Sequence, residues 1–437
     1  MKEKKMNGFI TMLEKYITPI AEKIEAQRHI SSIKNGMISL MAILMVGSIS
    51  LIVMGLGNFF PDGSSIKNIF DNYNAILGLP FMFTYGLLSI YAAITISYAH
   101  SQKMEIPVLH SLLGAVLATA ILNVKVTDGA FDFSFMDSRG LFIAIFASLI
   151  SVEIMAFLIK KKVTIRIKGL PDMIGKTFEA IVPLLIIICL SVFISIFTQV
   201  MSGGKILPEV FVTVLGPATQ GIDTPMAVFL VSLFEMIFWF LGLNGYAILV
   251  SFTLPFMTQY LTENAQAFAS GGVPTHIFTE NFWGYFMACT GSGVTGAISI
   301  LGLMSKSKEL KAAGKASIVP AIFNISEPVV YGFPVAYNPY LFIPFVIGTP
   351  ILSVFSYYVF KLGFINKPIV NVGGMPSPIA QYLITLDWKA PIYAVIIVFL
   401  GILMYYPFFK MYEKSVLAEE EKVTEVDKEL EELDLDF

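Results

Sequence analysis

Asn324-Ile325-Ser326-Glu327-Pro328, continued by Val329-Val330-Tyr331-Gly332-Phe333-Pro334-Val335-Ala336-Tyr337-Asn338-Pro339, decides the fold. One carboxylate, Glu327, sits in a long apolar region interrupted by prolines and a glycine. Pro328 disfavours the α conformation at Glu327 and removes a backbone donor, so a helix is expected to break there. Broken backbone at membrane depth is tolerated only where protein buries it or where it lines a wet cavity. An ionisable group in such a break marks a functional site, because exposing it to lipid is costly. The alternatives are a glutamate in a membrane-surface loop or a buried structural hydrogen-bonding group.

The composition around this stretch is that of a polytopic α-helical membrane protein. The chain has 437 residues, is 56% hydrophobic and only 14% charged, with a mean hydropathy of +0.74. A soluble domain carries about a quarter charged residues. The apolar runs are continuous rather than alternating, which disfavours a β-barrel. The net charge of −3 is uninformative because acids concentrate in the C-terminal tail. Cys189 and Cys289 lie in apolar segments without metal-ligand spacing and read as core packing, with no disulfide framework. Lys2, Lys4 and Lys5 precede an apolar run that starts only near Ile33, with no small-residue cleavage site, so no signal peptide is expected.

Residues 7–27 alternate charges with Phe9, Ile10, Leu13, Ile17, Ile20 and Ile24, the pattern of an interfacial helix. Spans are expected at about 33–57, 80–99, 107–123, 140–159 and 178–200. Loops 58–79 and 124–139 carry Asp62, Asp71, Asp128, Asp132 and Asp137, whereas 160–176 carries Lys160, Lys161, Lys162, Arg166, Lys168 and Lys176. Lysine and arginine bias marks the cytoplasmic side, which places the N-terminus and the 160–176 linker inside. Residues 205–221 read as an amphipathic surface segment, and a long span covers about 224–256, broken at Gly242 and Gly245 and stopped at Pro255. After Gly271-Gly-Val-Pro274 come Phe282–Leu303, the basic stretch 305–315, the Glu327 motif, a span near 340–360, Gly373–Pro378 and a last span at 391–409. Both termini inside require an even number of crossings; about ten transmembrane helices plus one or two re-entrant hairpins are expected. Broken segments gathered in one half are the mark of a transporter site. Residues 415–437 form an acidic tail with Val423, Val426, Leu430 and Leu433 at helical spacing, read as a solvated cytoplasmic helix.

These stretches together resemble a known family. Gln27-Arg-His-Ile30, Phe278-Thr-Glu-Asn-Phe282, the glycine-rich 291–296 run, Ser305-Lys-Ser-Lys-Glu-Leu-Lys311, Val319-Pro-Ala-Ile-Phe-Asn-Ile-Ser-Glu-Pro328, Tyr337-Asn-Pro339, Asp387-Trp-Lys389 and Tyr405-Tyr-Pro-Phe-Phe-Lys410 occur in family order. The chain thereby resembles the membrane IIC component of the sugar phosphotransferase system, in its lactose/cellobiose/chitobiose branch. The resemblance implies a bacterial cytoplasmic-membrane permease that binds a di- or oligosaccharide and presents a hydroxyl to the phosphocysteine of a cytosolic IIB partner. It implies a homodimer, with 1–176 beginning the dimerisation region, 177–221 a further span and amphipathic linker, and 222–414 the substrate-binding half. It makes Glu327 the sugar ligand near the accepting hydroxyl and the catalytic carboxylate.

The sequence departs from the family pattern at three places. Asn244 in Gly242-Leu-Asn-Gly245 stands where the family has a histidine, Ser326 stands where a second asparagine is usual, and Gly374-Met-Pro-Ser-Pro378 lacks the family tryptophan. Asn244, Asn324, Ser326, Glu327 and His276 are the expected substrate-binding residues, with Trp239 and Trp283 as ring-stackers, each of which could equally be packing. Glu235 and Glu280 are further intramembrane or rim acids, and Asn338, Gln259 and Thr290 are polar candidates. A carboxylate in a partly dry cavity suits the base role in phosphoryl transfer. An asparagine can hydrogen-bond a sugar but cannot take up its proton. No metal or cofactor is expected, no phosphate-cradling Gly-x-x-x-x-Gly-Lys-Ser/Thr loop is present, and no basic stripe points to nucleic acid. Two other functions compete: a same-fold sugar transporter or sensor without phosphotransfer, and an ion-coupled transporter of unrelated fold, for which the N-terminal half offers only Glu153 as an intramembrane acid.

Overall fold

The computed structural model describes residues 27–434 except 58–59, 62, 128, 168–170 and 334, with positions 19, 23 and 26 before them. The interfacial helix expected at 7–27 falls almost wholly outside the described residues.

α1 (Arg28–Leu56) starts where the Gln27 side chain accepts from Ile30 N at 2.7 Å. α2 (Ser65–Leu77) is capped by Ser64 and buries no residue; it occupies much of the loop expected at 58–79. α3 (Leu79–Thr84) passes through a tight turn into α4 (Leu88–Lys103). α4 lies so close to α1 that a Cβ on Gly36 would stand 2.5 Å from Ile96 Cγ1; only glycine permits that approach. α5 (Val108–Asn123) leads to a two-stranded antiparallel ribbon, β1 (Lys125–Thr127) and β2 (Ala130–Asp132), where only a loop was expected. α6 (Leu141–Lys160), α7 (Asp172–Ser202) and the amphipathic α8 (Leu207–Ile222) follow.

α9 (Pro225–Phe240) and α10 (Gly245–Ala269) are separated by the expected break at 241–244, but Pro255 does not end the second helix. A proline inside a helix forfeits one backbone bond, and α10 runs fourteen residues beyond it to Ala269. α11 (Glu280–Phe282) winds into a π-helical turn, Trp283–Met287, then a loop and α12 (Gly296–Leu303). α13 (Lys308–Ile322), the break 323–326, and α14 (Glu327–Gly332) come next. A second π-helical turn, Ile343–Gly348, enters α15 (Thr349–Lys361). α16 (Ser377–Thr385) and the 46-residue α17 (Lys389–Asp434) end the chain. The acidic tail, as far as Asp434, thus continues the last apolar helix.

Among the described residues, six helical segments are long and apolar enough to cross a membrane: 28–56, 65–103, 138–160, 173–202, 343–361 and 389–422. α5 and α9 are shorter apolar helices. The protein is an all-α polytopic membrane protein in its spanning elements. One core joins Leu40, Leu44 and Tyr85 to Leu254, Phe278, Phe282 and Ile384, and α1 packs directly on the C-terminal half. A second core, around Trp239, Phe240, Leu301, Phe333, Phe345 and Tyr405, sits under the broken segments.

Candidate functional site

The break at Asn324–Ser326 places Glu327. Asn324 adopts a left-handed φ of +62°, a conformation its short polar side chain tolerates. Its side chain holds the bend: Nδ2 donates to Gly284 O at 2.9 Å, and Oδ1 accepts from Ser377 Oγ at 2.6 Å. Pro328 does not break the helix at Glu327. Both residues lie in the first turn of α14, where proline's fixed φ suits helix initiation and its missing N–H costs nothing. The interruption therefore lies just upstream of the place expected from Pro328.

Asn244 caps α10, its Oδ1 accepting from Ala247 N at 2.9 Å. That leaves Nδ2 to approach Glu327 Oε1 at 3.4 Å. Both residues are exposed, and both line a cavity of about 380 Å³. Trp239, Asn324 and Ser326 line it as well. Five of the seven sequence-derived site residues, 239, 244, 324, 326 and 327, thus converge on one space. No lysine, arginine or histidine lies within ion-pair distance of Glu327 among the described residues.

His276 and Trp283 do not line this cavity. His276 is held in the 270–279 loop between two carboxylates, Nδ1 donating to Asp223 Oδ2 (3.3 Å) and Nε2 to Glu263 Oε2 (2.8 Å), with its ring stacked on Tyr260. Burial by itself would lower its pKa, but the two carboxylates outweigh that and push it up to about 9. With both nitrogens donating, the ring is an imidazolium. Trp283 is fully buried, and its Nε1 donates to Glu235 Oε2 at 2.7 Å. Of the other candidates, Glu280 lines the cavity, where Tyr246 OH donates to its Oε1 at 3.4 Å. Gln259 donates to Glu263, Asn338 accepts from Tyr340 N, and Thr290 donates to Cys289 O; none of the three lines it.

The sequence reading missed Tyr246, Asn281, Tyr285 and Asn371, and Met41 on α1; Gly374, which also lines the cavity, belongs to the segment already singled out for its lost tryptophan. Asn371 had a readable signal, a lone amide in the apolar run Ile369-Val-Asn-Val-Gly-Gly374. Met41 had none. Asn281 Nδ2 donates to Val372 O at 2.9 Å, which ties the 362–376 segment against α11. The wall is therefore rich in amides, hydroxyls, aromatic faces and two carboxylates, a surface suited to a neutral polyhydroxylated ligand.

Comparison with known proteins agrees with this geometry. The family model "Phosphotransferase system, EIIC" matches residues 34–349. The lichenan permease IIC component of Bacillus subtilis (strain 168) is 30% identical over 95% of this chain and 96% of its own length. The lactose-specific EIICB component of Lacticaseibacillus casei is 28% identical over 94% of this chain and 72% of that protein. The crystal structure of the transporter ChbC, the IIC component of the N,N'-diacetylchitobiose-specific phosphotransferase system, superposes with a TM-score of 0.86 at 26% identity, covering 94% of this chain and 99% of that one. Family, fold and relatives agree with one another: the chain belongs to the EIIC sugar permeases of the phosphotransferase system, in the lactose/cellobiose/chitobiose family.

Proposed function

We propose that this permease binds a di- or oligosaccharide of the cellobiose, chitobiose or lactose type in the cavity around Glu327, and presents one hydroxyl to the phosphocysteine of a cytosolic IIB protein. The observation that carries this reading is the meeting of Asn244 and Glu327, 83 positions apart in sequence, at 3.4 Å on one cavity wall. Glu327 accepts the sugar O–H. As the hydroxyl oxygen bonds to phosphorus, the S–P bond breaks, the cysteine leaves as thiolate, and the proton passes to the Glu327 carboxylate. Asn244 donates to the sugar through Nδ2 but takes no proton. Trp239 and the Tyr246 and Tyr285 rings supply apolar faces for the sugar rings. The name EIICB of the lactose-specific relative, which extends beyond this chain, supports a IIB partner.

In this reading the protein sits in the bacterial cytoplasmic membrane with both termini inside, as the basic segments 160–176 and 305–315 favour. Region 1–176 begins a homodimerisation half, and 222–414 forms the transport half. The test is reconstitution in liposomes with phosphorylated IIB and labelled cellobiose, N,N'-diacetylchitobiose or lactose. One of these sugars is expected to be phosphorylated as IIB loses an equal amount of phosphate. Binding of all three without any phosphate loss would overturn the transfer step. Labelling of a Ser307→Cys variant from outside intact cells would overturn the orientation.

A further inference from the structure

Glu235 lies mid-way along the apolar helix α9, 1% exposed. A leucine would fill such a position without the cost of burying an acid. Its two oxygens go to different places. Oε2 accepts from Trp283 Nε1 at 2.7 Å, on the π-helical turn that follows Glu280 and Asn281. Oε1 accepts from Ser292 Oγ at 2.7 Å, on the glycine-rich loop between that turn and α12. The backbone N of Ser292 in turn donates to Ser326 Oγ at 2.7 Å, and Ser326 immediately precedes Glu327. The loop is irregular: Gly291 and Gly293 have φ of +106° and +85°, and Thr290 and Val294 share the left-handed region, a conformation that persists in non-glycine residues only where the surroundings hold it.

We infer that Glu235 is a positioning residue for the sugar site: one buried carboxylate fastens the π-helical turn to the glycine-rich loop, and through Ser292 and Ser326 it sets where Glu327 stands. This rests on the cavity being the sugar site. The carboxylate suits the task because it accepts at both oxygens without donating, so the indole N–H and the serine O–H are satisfied together. Ser326, which stands where the family has an asparagine, has its partner in the backbone N–H of Ser292, the residue that the carboxylate holds.

The test is sugar binding by calorimetry on the full-length purified protein, with N,N'-diacetylchitobiose, cellobiose and lactose as probes. Glu235→Gln keeps an acceptor for Trp283 and can donate to Ser292, whose hydroxyl also accepts; affinity is expected to stay within about threefold. Glu235→Leu is expected to weaken binding about tenfold or more, with elution in detergent unchanged. Glu235→Leu combined with Ser292→Ala is expected to lose no more than Glu235→Leu alone, because both cut one chain of contacts. Should the leucine variant fail to fold, Ser292→Ala and Trp283→Phe cut the same two bonds from their far ends, and each is expected to weaken binding. Full affinity in those two variants, additive losses in the double variant, or a glutamine as damaging as leucine would overturn the inference. Glu327→Gln in the same assay separates the two ideas. If it keeps full affinity, the cavity reading itself falls; if it weakens binding while the Glu235, Ser292 and Trp283 variants do not, only the positioning role falls.

Discussion

Glu153 in the N-terminal half and Glu327 in the C-terminal half are both carboxylates among apolar helices, and their surroundings are opposite. Three donors crowd one oxygen of Glu153: Arg28 Nη2 at 2.9 Å, His29 Nε2 at 2.9 Å and His100 Nε2 at 3.2 Å. These come from α1 and α4 while Glu153 is on α6, so the cluster pins three helices together. Glu327 meets a single side-chain amide at 3.4 Å and otherwise faces open space. A carboxylate that three donors of its own protein already grip holds structure, whereas one that meets a single amide on a cavity wall is available to a ligand. His29, His100 and Glu153 also lie within 4.8 Å of one another, as metal ligands do. The Arg28 guanidinium on the same oxygen puts a positive charge where an ion would sit.

The contrast is broken most sharply at Glu327. Glu327→Ala is expected to reduce sugar affinity about a hundredfold, since more than one charged hydrogen bond of about 1.5–3 kcal/mol is lost. Calorimetry measures it, and thermal unfolding without sugar should be unchanged. Glu153→Ala should do the reverse. It strands Arg28, His29 and His100 and should cost about 2 kcal/mol of stability, less than a fully buried pair because Glu153 is one-third exposed. Sugar affinity should hold; a binding loss without a stability loss would erase the distinction.

His276 sharpens it along the pH axis. Its pKa in the fold, about 9, lies above the ordinary value of 6.5, so its contribution is complete below pH 6.5 and fades as pH rises through 9. Thermal stability should fall over that window by on the order of 2 kcal/mol, and His276→Gln should flatten the decline. The smallest effect belongs to Asn244→His. The position faces the cavity, so an imidazole should still fold, at the cost of the Asn244 cap on α10, about 1 kcal/mol, and change phosphoryl transfer by about threefold while adding a titration near neutral pH. A variant that no longer inserts would break the correspondence between Asn244 and the family histidine.

Much of this was legible in the sequence. Continuous apolar runs gave the helices, and the Asn-Ile-Ser-Glu-Pro stretch gave the break, misplaced only because proline also serves a first helical turn. Asn244, at a Gly-x-Asn-Gly interruption, was legible for the same reason. The rest depended on long-range packing. Asn371 reaches the site because its backbone N donates to Ser48 Oγ on α1 at 2.8 Å, across 323 positions. Tyr246 and Met41 look like ordinary apolar-helix residues until the neighbouring segments are in place. His276 was drawn to the site by its chemistry alone, whereas two acids hold it elsewhere.

α17 has a consequence beyond its span. At about 1.5 Å per residue its 46 residues make a rod of about 69 Å, more than twice the hydrocarbon thickness of a bilayer. Near the point where such a rod leaves the apolar layer, Glu413 accepts from Ser305 Oγ and Lys306 N, both at 2.7 Å. One further stretch along, Glu420 accepts from Ser307 Oγ (2.7 Å) and Glu309 N (3.0 Å) at the start of α13. α13 runs directly into Asn324. The rod is thereby tied at two points, by four hydrogen bonds, to the entry of the one short helix that leads into the bend carrying Glu327, so the register of the last helix and the place of that bend are fixed together.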